Sequence, residues 1–271
     1  MISEQKTNKR ILTIRVAKNT LSFSMTDPAN IAEPVTFEPF VVKSGISMAA
    51  NMREALKNRQ QTTDIGSCRL LIDSKVLMVP VERFQENEAE TLYRHAYPMS
   101  EQNSMVYFNI LPELNAVSVF CLNKDLRMVI KDNFGDSVRV IHVMSPVWRH
   151  LHQRSFTDHR NKLYGYFHDK QLEIFSYQQN RFKFCNSFET SRAHDSLYFL
   201  LYVWKQLNLQ PEHDELHIVG DIPEKDWLLQ ELRKYLRNAY AINPTAEFNR
   251  ALATQIKNMP FDLITLITKG R

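Results

Sequence analysis

One order of secondary-structure signals occurs twice in this chain: three short alternating strands, an amphipathic helix, then a further strand. In the first half the strands are expected over residues 11–16, 21–25 and 35–42, the helix near 47–59 and the closing strand at 68–72. In the second half they fall at 162–168, 172–177 and 181–188, with a helix near 191–207 and a strand that ends at Gly220. A meander feeding a crossover helix is common once. Twice within 271 residues, it confines the chain to an α/β protein of two related halves. The polar stretch 153–161 holds no sustained apolar period and is the expected junction, giving domains at 1–157 and 158–271.

Composition narrows the class. Hydrophobic residues at 44% and charged residues at 24% are those of a globular chain that buries a core, which excludes a disordered one. A net charge of +4 decides little: it is compatible with weak nucleic-acid attraction, whereas a dedicated binder usually concentrates far more positive charge on one face. The three cysteines, Cys68, Cys121 and Cys185, sit in separate expected strands with no C-x-x-C spacing, as suits a reducing compartment. Residues 1–10 lack an apolar signal core, and the longest aromatic and aliphatic run, 197–204, is far below the ~18 residues of a membrane span. A cytoplasmic setting is expected.

Local punctuation supports the same reading. Residues 68–72 and 76–81 flank Asp73-Ser74-Lys75 as a tight hairpin or a turn between strands, with Pro80 favouring a sheet edge because it has no N–H to donate. Residues 86–95 read as a short charged helix, and 105–111 with 116–122 as another hairpin. Asn123 caps a helix with the buried stripe Leu126, Val129, Ile130 and Phe134, closed by Gly135. Ser145-Pro146 opens the next. The helix near 191–207 places Leu197, Leu200, Leu201, Trp204 and Leu207 on one face, widened by Tyr198, Phe199 and Tyr202. Beyond Pro223, a helix carrying Leu228, Leu232, Tyr235 and Leu236 is expected to run until Asn243-Pro244 breaks it. A further helix is expected at 246–257, while 262–268 fits a strand or a short helix.

Three segments carry a resemblance. Ile14-Arg15-Val16-Ala17 ends the first strand of one half, Tyr166-Phe167-His168 ends that of the other, and Leu216-His217-Ile218-Val219-Gly220-Asp221-Ile222 is a strand followed by a glycine turn. Together they resemble the actin-like ATPase fold, two ribonuclease-H-like lobes around a cleft, whose opening hairpins carry D-x-G. Both D-x-G signals are replaced here, and the whole chain has only 6 glycines. Phosphate held in a tight hairpin needs backbone amides close to the anion, which glycine permits. An arginine does not hold a hard cation as a carboxylate does. The resemblance therefore implies Arg15, Lys18, His168, Asp169 and Gly220 as cleft candidates, with no retained cofactor. A closer resemblance, spanning nearly the whole chain, is to a bacterial family with this fold classed as a domain of unknown function. It is carried by Asn186-Ser187-Phe188, Asp195 with Tyr198, and Val219-Gly220-Asp221-Ile222. Val76-Leu77-Met78-Val79-Pro80 with Glu82 and Phe84 is the first-half counterpart.

Other constellations read as structure. Arg149, Arg154, Arg160 and Lys162, with Trp148, His150, His152 and His159, form a basic and aromatic stretch that suits RNA phosphates or, more simply, a solvated helix face. His150 and His152 with Asp158 or His159 make a poor metal set, because residues two apart on a helix do not share a face. Cys185, His194 and Asp195 invite a nucleophile reading, against which a small cysteine in a strand is simply core. Glu212, Asp214 and Glu215 lack the spacing of a cation loop. The expected function is a non-catalytic interaction or scaffold protein with an unidentified protein partner, without catalytic or metal residues. The alternatives are a divergent ATP-binding protein or ATPase, and an RNA-associated protein.

Overall fold

The computed structural model of the protein describes residues 10–27, 35–59, 65–99, 102–156, 160–178 and 181–269. The first half contributes β1 (Arg10–Val16), β2 (Leu21–Thr26), β3 (Thr36–Phe40), α1 (Met48–Asn58), β4 (Ile65–Ile72) and β5 (Val76–Pro80). It continues through α2 (Ala89–Ala96), β6 (Ser104–Leu111), β7 (Ala116–Asn123), α3 (Lys124–Phe134) and β8 (Arg139–His142). Then come α4 (Met144–Ser155), β9 (Lys162–His168), β10 (Gln171–Gln178), β11 (Arg181–Glu189), α5 (Ala193–Gln206) and β12 (Glu215–Gly220). The chain closes with α6 (Lys225–Leu232), β13 (Asn238–Ala241), α7 (Pro244–Glu247) and α8 (Phe261–Lys269).

The duplicated signal is a duplicated topology. One sheet has the order β3-β2-β1-β4-β8, and the other β11-β10-β9-β12-β13. In each, the first three strands are antiparallel neighbours and the last two join parallel to the first strand and to each other. The chain divides into two compact units, one of Met1–Leu77, Gln85–Asn109 and Val119–Val143, the other of Met78–Phe84, Ile110–Ser118 and Met144–Arg271. Within the first, Leu12, Ile14 and Val16 alternate into a core with Met52 of α1 and Val129 and Ile130 of α3. Within the second, Leu163, Phe167, Leu172 and Ile174 pack against Leu200, Val203 and Trp204 of α5 and Leu228 and Leu232 of α6.

Capping chemistry sets the helix ends. The Ser47 hydroxyl accepts from the Ala50 N–H at 3.2 Å, and the Asn123 side-chain oxygen accepts from the Asp125 and Leu126 N–H groups at 2.9 and 3.1 Å. Several expectations change. β4 and β5 do not form a hairpin: β4 lies between β1 and β8, whereas β5 is the edge of a third sheet of order β5-β7-β6. Pro80 does end an edge strand. The helix after Pro223 stops at Leu232, and β13 follows where helix was expected, because Ala239 is needed in the core beside β12. The 246–257 helix is instead a single turn, α7, and a 3-10 turn at Leu252–Gln255. The terminal apolar run is helical, as α8. On α5, Tyr198 and Tyr202 do not widen the buried stripe but are 62% and 47% exposed.

Candidate functional site: two opening hairpins

In the first unit, the pleat of β1 sends Thr13 and Arg15 to the face opposite the helices, each only 2% exposed. Arg15 Nη1 donates to Thr20 Oγ1 at 3.2 Å, and the Ala17 N–H donates to the Thr20 carbonyl at 2.9 Å, closing the turn. The residues of this turn, Ala17 to Thr20, all have negative φ, and Lys18 is exposed. The Asp73 N–H donates to the Val16 carbonyl at 2.9 Å and ties the end of β1 to the end of β4.

In the second unit, His168 ends β9 and is buried, and Asp169-Lys170 make the turn with φ of 47° and 64°. Two consecutive left-handed residues are the signature of the hairpin turn whose twist matches the strands, usually made by Asn-Gly or Gly-Gly. The Asp169 carboxylate lies 3.2 Å from His168 Nδ1. Gly220 pairs beside Phe167 at the same end of the sheet, so the structure brings His168, Asp169 and Gly220 together. The glycine has a local cause: at φ 102° an added Cβ would stand 2.0 Å from the Phe167 carbonyl oxygen. Arg15 and Lys18 belong to the other unit.

The face of the second sheet away from α5 is a buried polar and aromatic layer that strand signals alone did not single out. Tyr164, Tyr166 and His168 alternate along β9, with Phe175 and Tyr177 on β10 and His217 on β12. The Tyr166 hydroxyl donates to Asp262 Oδ2 at 2.9 Å and accepts from the Asp262 N–H at 3.3 Å, and the Tyr177 hydroxyl donates to the Trp148 carbonyl at 2.7 Å. Burial pushes the Tyr164 and Tyr177 hydroxyls well above the ordinary phenol value. The same desolvation holds His217 below the usual histidine value despite its 2.9 Å bond to Glu215. The periodic Tyr-x-Tyr-x-His of β9 was the signal available for this layer.

The basic stretch is internally compensated. Arg149 meets Glu113 at 3.4 Å and Arg160 meets Glu215 at 3.1 Å. Arg154 pairs with Glu247, and Lys162, 5% exposed, reaches the Arg154 carbonyl. His150 Nε2 is 2.9 Å from Glu247 Oε1, while the His152 ring packs against Phe156 and Tyr177. The His150 bond and the Arg154 charge bring Glu247 down to about 2. Asp158 and His159 lie outside the described residues. Asp214 accepts from the backbone N–H groups of Asn161 and Gln210 at 3.1 and 2.7 Å, which makes it a loop staple. Cys185 pairs with Phe175 and faces the polar layer, its thiol raised by burial, whereas His194 stands on α5 against the opposite face, its ring 4.2 Å from Trp227. The sheet separates them, so they form no nucleophile and base pair.

No helix among the described residues is long and apolar enough to cross a membrane. No curated protein matches the chain. A crystal structure from Bacteroides thetaiotaomicron, of a protein with actin-like ATPase fold and unknown function, is 26% identical, with 99% of each chain covered and a TM-score of 0.83. A structure of the PilM-PilN type IV pilus biogenesis complex is 12% identical, covering 96% of this chain and 98% of that one, with a TM-score of 0.55. The protein therefore has the actin-like ATPase fold, built from two units of the same strand order. With residues 2–239 matched, the chain belongs to the family described as protein of unknown function (DUF3822).

Proposed function

We propose that this protein is a non-catalytic interaction or scaffold protein of the bacterial cytoplasm, in which the actin-like fold serves as a frame and its nucleotide-gripping hairpins have been converted to structural turns. The observation that carries this reading is the make-up of the two turns. The first has Arg15 bonded to its own hairpin and no left-handed residue among Ala17 to Thr20. The second has side chains on both left-handed residues, with the Asp169 carboxylate lying against His168. Backbone amides that cradle a phosphate need an open, glycine-bearing turn. Neither turn offers such a cradle to a magnesium triphosphate. The occurrence of the fold in the PilM-PilN complex supports a role in holding a protein partner.

The second reading is a divergent ATP-binding protein. It is favoured by Asp169, a carboxylate in the opening hairpin beside Gly220, and by the exposed Lys18 of the other hairpin. A thermal melt with millimolar ATP and magnesium separates the two. A ligand present at ~100 times its dissociation constant adds about 2.7 kcal/mol of stability. No shift of the midpoint is expected. A rise of several degrees that disappears in Lys18→Ala would replace the scaffold reading with the nucleotide one.

A further inference from the structure

The edges of the two large sheets are unequal. β3 has five residues with Pro39 inside it, and β8 and β13 have four each. Short strands and proline are ordinary ways of making an edge unfit for pairing. β11 is different: Arg181–Glu189 has nine residues and no proline, and among the described residues it pairs on one side only, with β10. Its register is regular from Phe184 to Glu189, after a bulge at Lys183. The Thr190 N–H turns inward to the Lys170 carbonyl, so the N–H groups of Ser187 and Cys185 point outward by alternation. The outward amide of Ser187 is held by the Asn186 side-chain oxygen at 2.9 Å, a cover that a rotamer change removes.

We propose that β11 is a self-association edge, at which two copies of this chain pair antiparallel about a two-fold axis through Asn186 and join their second sheets into one. In that register the strand is self-complementary. Phe184 falls opposite Phe188 of the second copy on the α5 face, Cys185 opposite Ser187 on the other, and Asn186 opposite itself. Lys183, at the bulge, falls beside Glu189 of the second copy, and the symmetry repeats the opposite-charge pair. Cys185 and Ser187, whose N–H groups point outward, become the hydrogen-bonded pair, as this register requires.

The flank of the strand carries further apolar surface. Phe188 stacks on Phe199 of α5 at 4.4 Å, Phe199 meets Tyr198 at 5.4 Å, and Tyr198 stacks on Tyr202 at 5.9 Å. These last two rings are exposed, so a continuous aromatic path runs from the strand edge onto the helix surface. One strand edge covers far less than the ~800 Å² per partner of a standard interface, so the tyrosines must join it and the dimer is reversible. The inference is independent of what the opening hairpins bind.

Sedimentation velocity over a range of concentrations tests it with the full chain, because a residue that faces itself cannot compensate its own charge. Wild type is expected to associate as concentration rises. Asn186→Lys and Asn186→Glu, each confirmed as folded by circular dichroism, are expected to associate roughly tenfold more weakly. An equimolar mixture of the two is expected to recover the dimer. Wild type that stays monomeric at the highest concentrations would overturn the proposal and leave the edge to some other chain. So would single variants that associate like wild type, or a mixture that stays monomeric.

Discussion

Replacing Gly220 by alanine would place a methyl carbon within 2.0 Å of a main-chain oxygen in a strand paired on both sides, where nothing flexible gives way. With φ at 102°, the backbone itself resists a side chain. Gly220→Ala is expected to cost ~2–4 kcal/mol in urea denaturation, whereas Gly165→Ala, whose new carbon meets only side chains at 3.2–3.3 Å, is expected to cost about 1 kcal/mol. Glu247 gives a pH signature. Its carboxyl is at about 2 when folded against an ordinary 4.5, so its contribution is complete above pH 4.5 and is lost as pH falls towards 2. That contribution is at most about 3 kcal/mol. Denaturation curves between these pH values should lose stability in wild type more steeply than in Glu247→Gln, and equal slopes would refute the pairing.

At the scale of elements, α5 shows how a stripe read from sequence turns when packed. Leu200, Val203 and Trp204 are buried, while Leu197 and Leu201 are half-buried beside them, so the contact face is rotated from the one centred on Leu201. Leu200→Ala is expected to cost ~2–5 kcal/mol and Leu201→Ala clearly less, measured by chemical denaturation. The sequence made the meanders, the α3 caps and the edge position of Pro80 legible, because turn residues and period-two alternation are local properties. It did not reveal β13, whose four residues are strand only because β12 lies beside them, nor the separate sheets of β4 and β5, which depend on partners distant in sequence. The hairpin candidates were readable as positions. The cause of Gly220 was not, because the Phe167 oxygen that demands it lies on another strand.

The whole molecule repeats one strand order, and each copy has three interior strands paired on both sides: β2, β1 and β4 in one sheet, β10, β9 and β12 in the other. Hydrogen exchange should be slowest there and fastest at β3, β8 and β13, and slow exchange confined to one sheet would argue against two comparable cores. The buried layer of the second unit also has an optical consequence. Burial disfavours the phenolate and holds the Tyr164 and Tyr177 hydroxyls protonated above the ordinary phenol range, so their contribution to stability is complete below the value of an unfolded tyrosine and is lost as pH rises beyond it. In an alkaline titration these phenols should therefore not ionise one by one. Their phenolate absorbance should arrive in a single late step, together with the loss of near-ultraviolet circular dichroism, making the tyrosines of β9 and β10 a built-in colour indicator for the opening of this sheet.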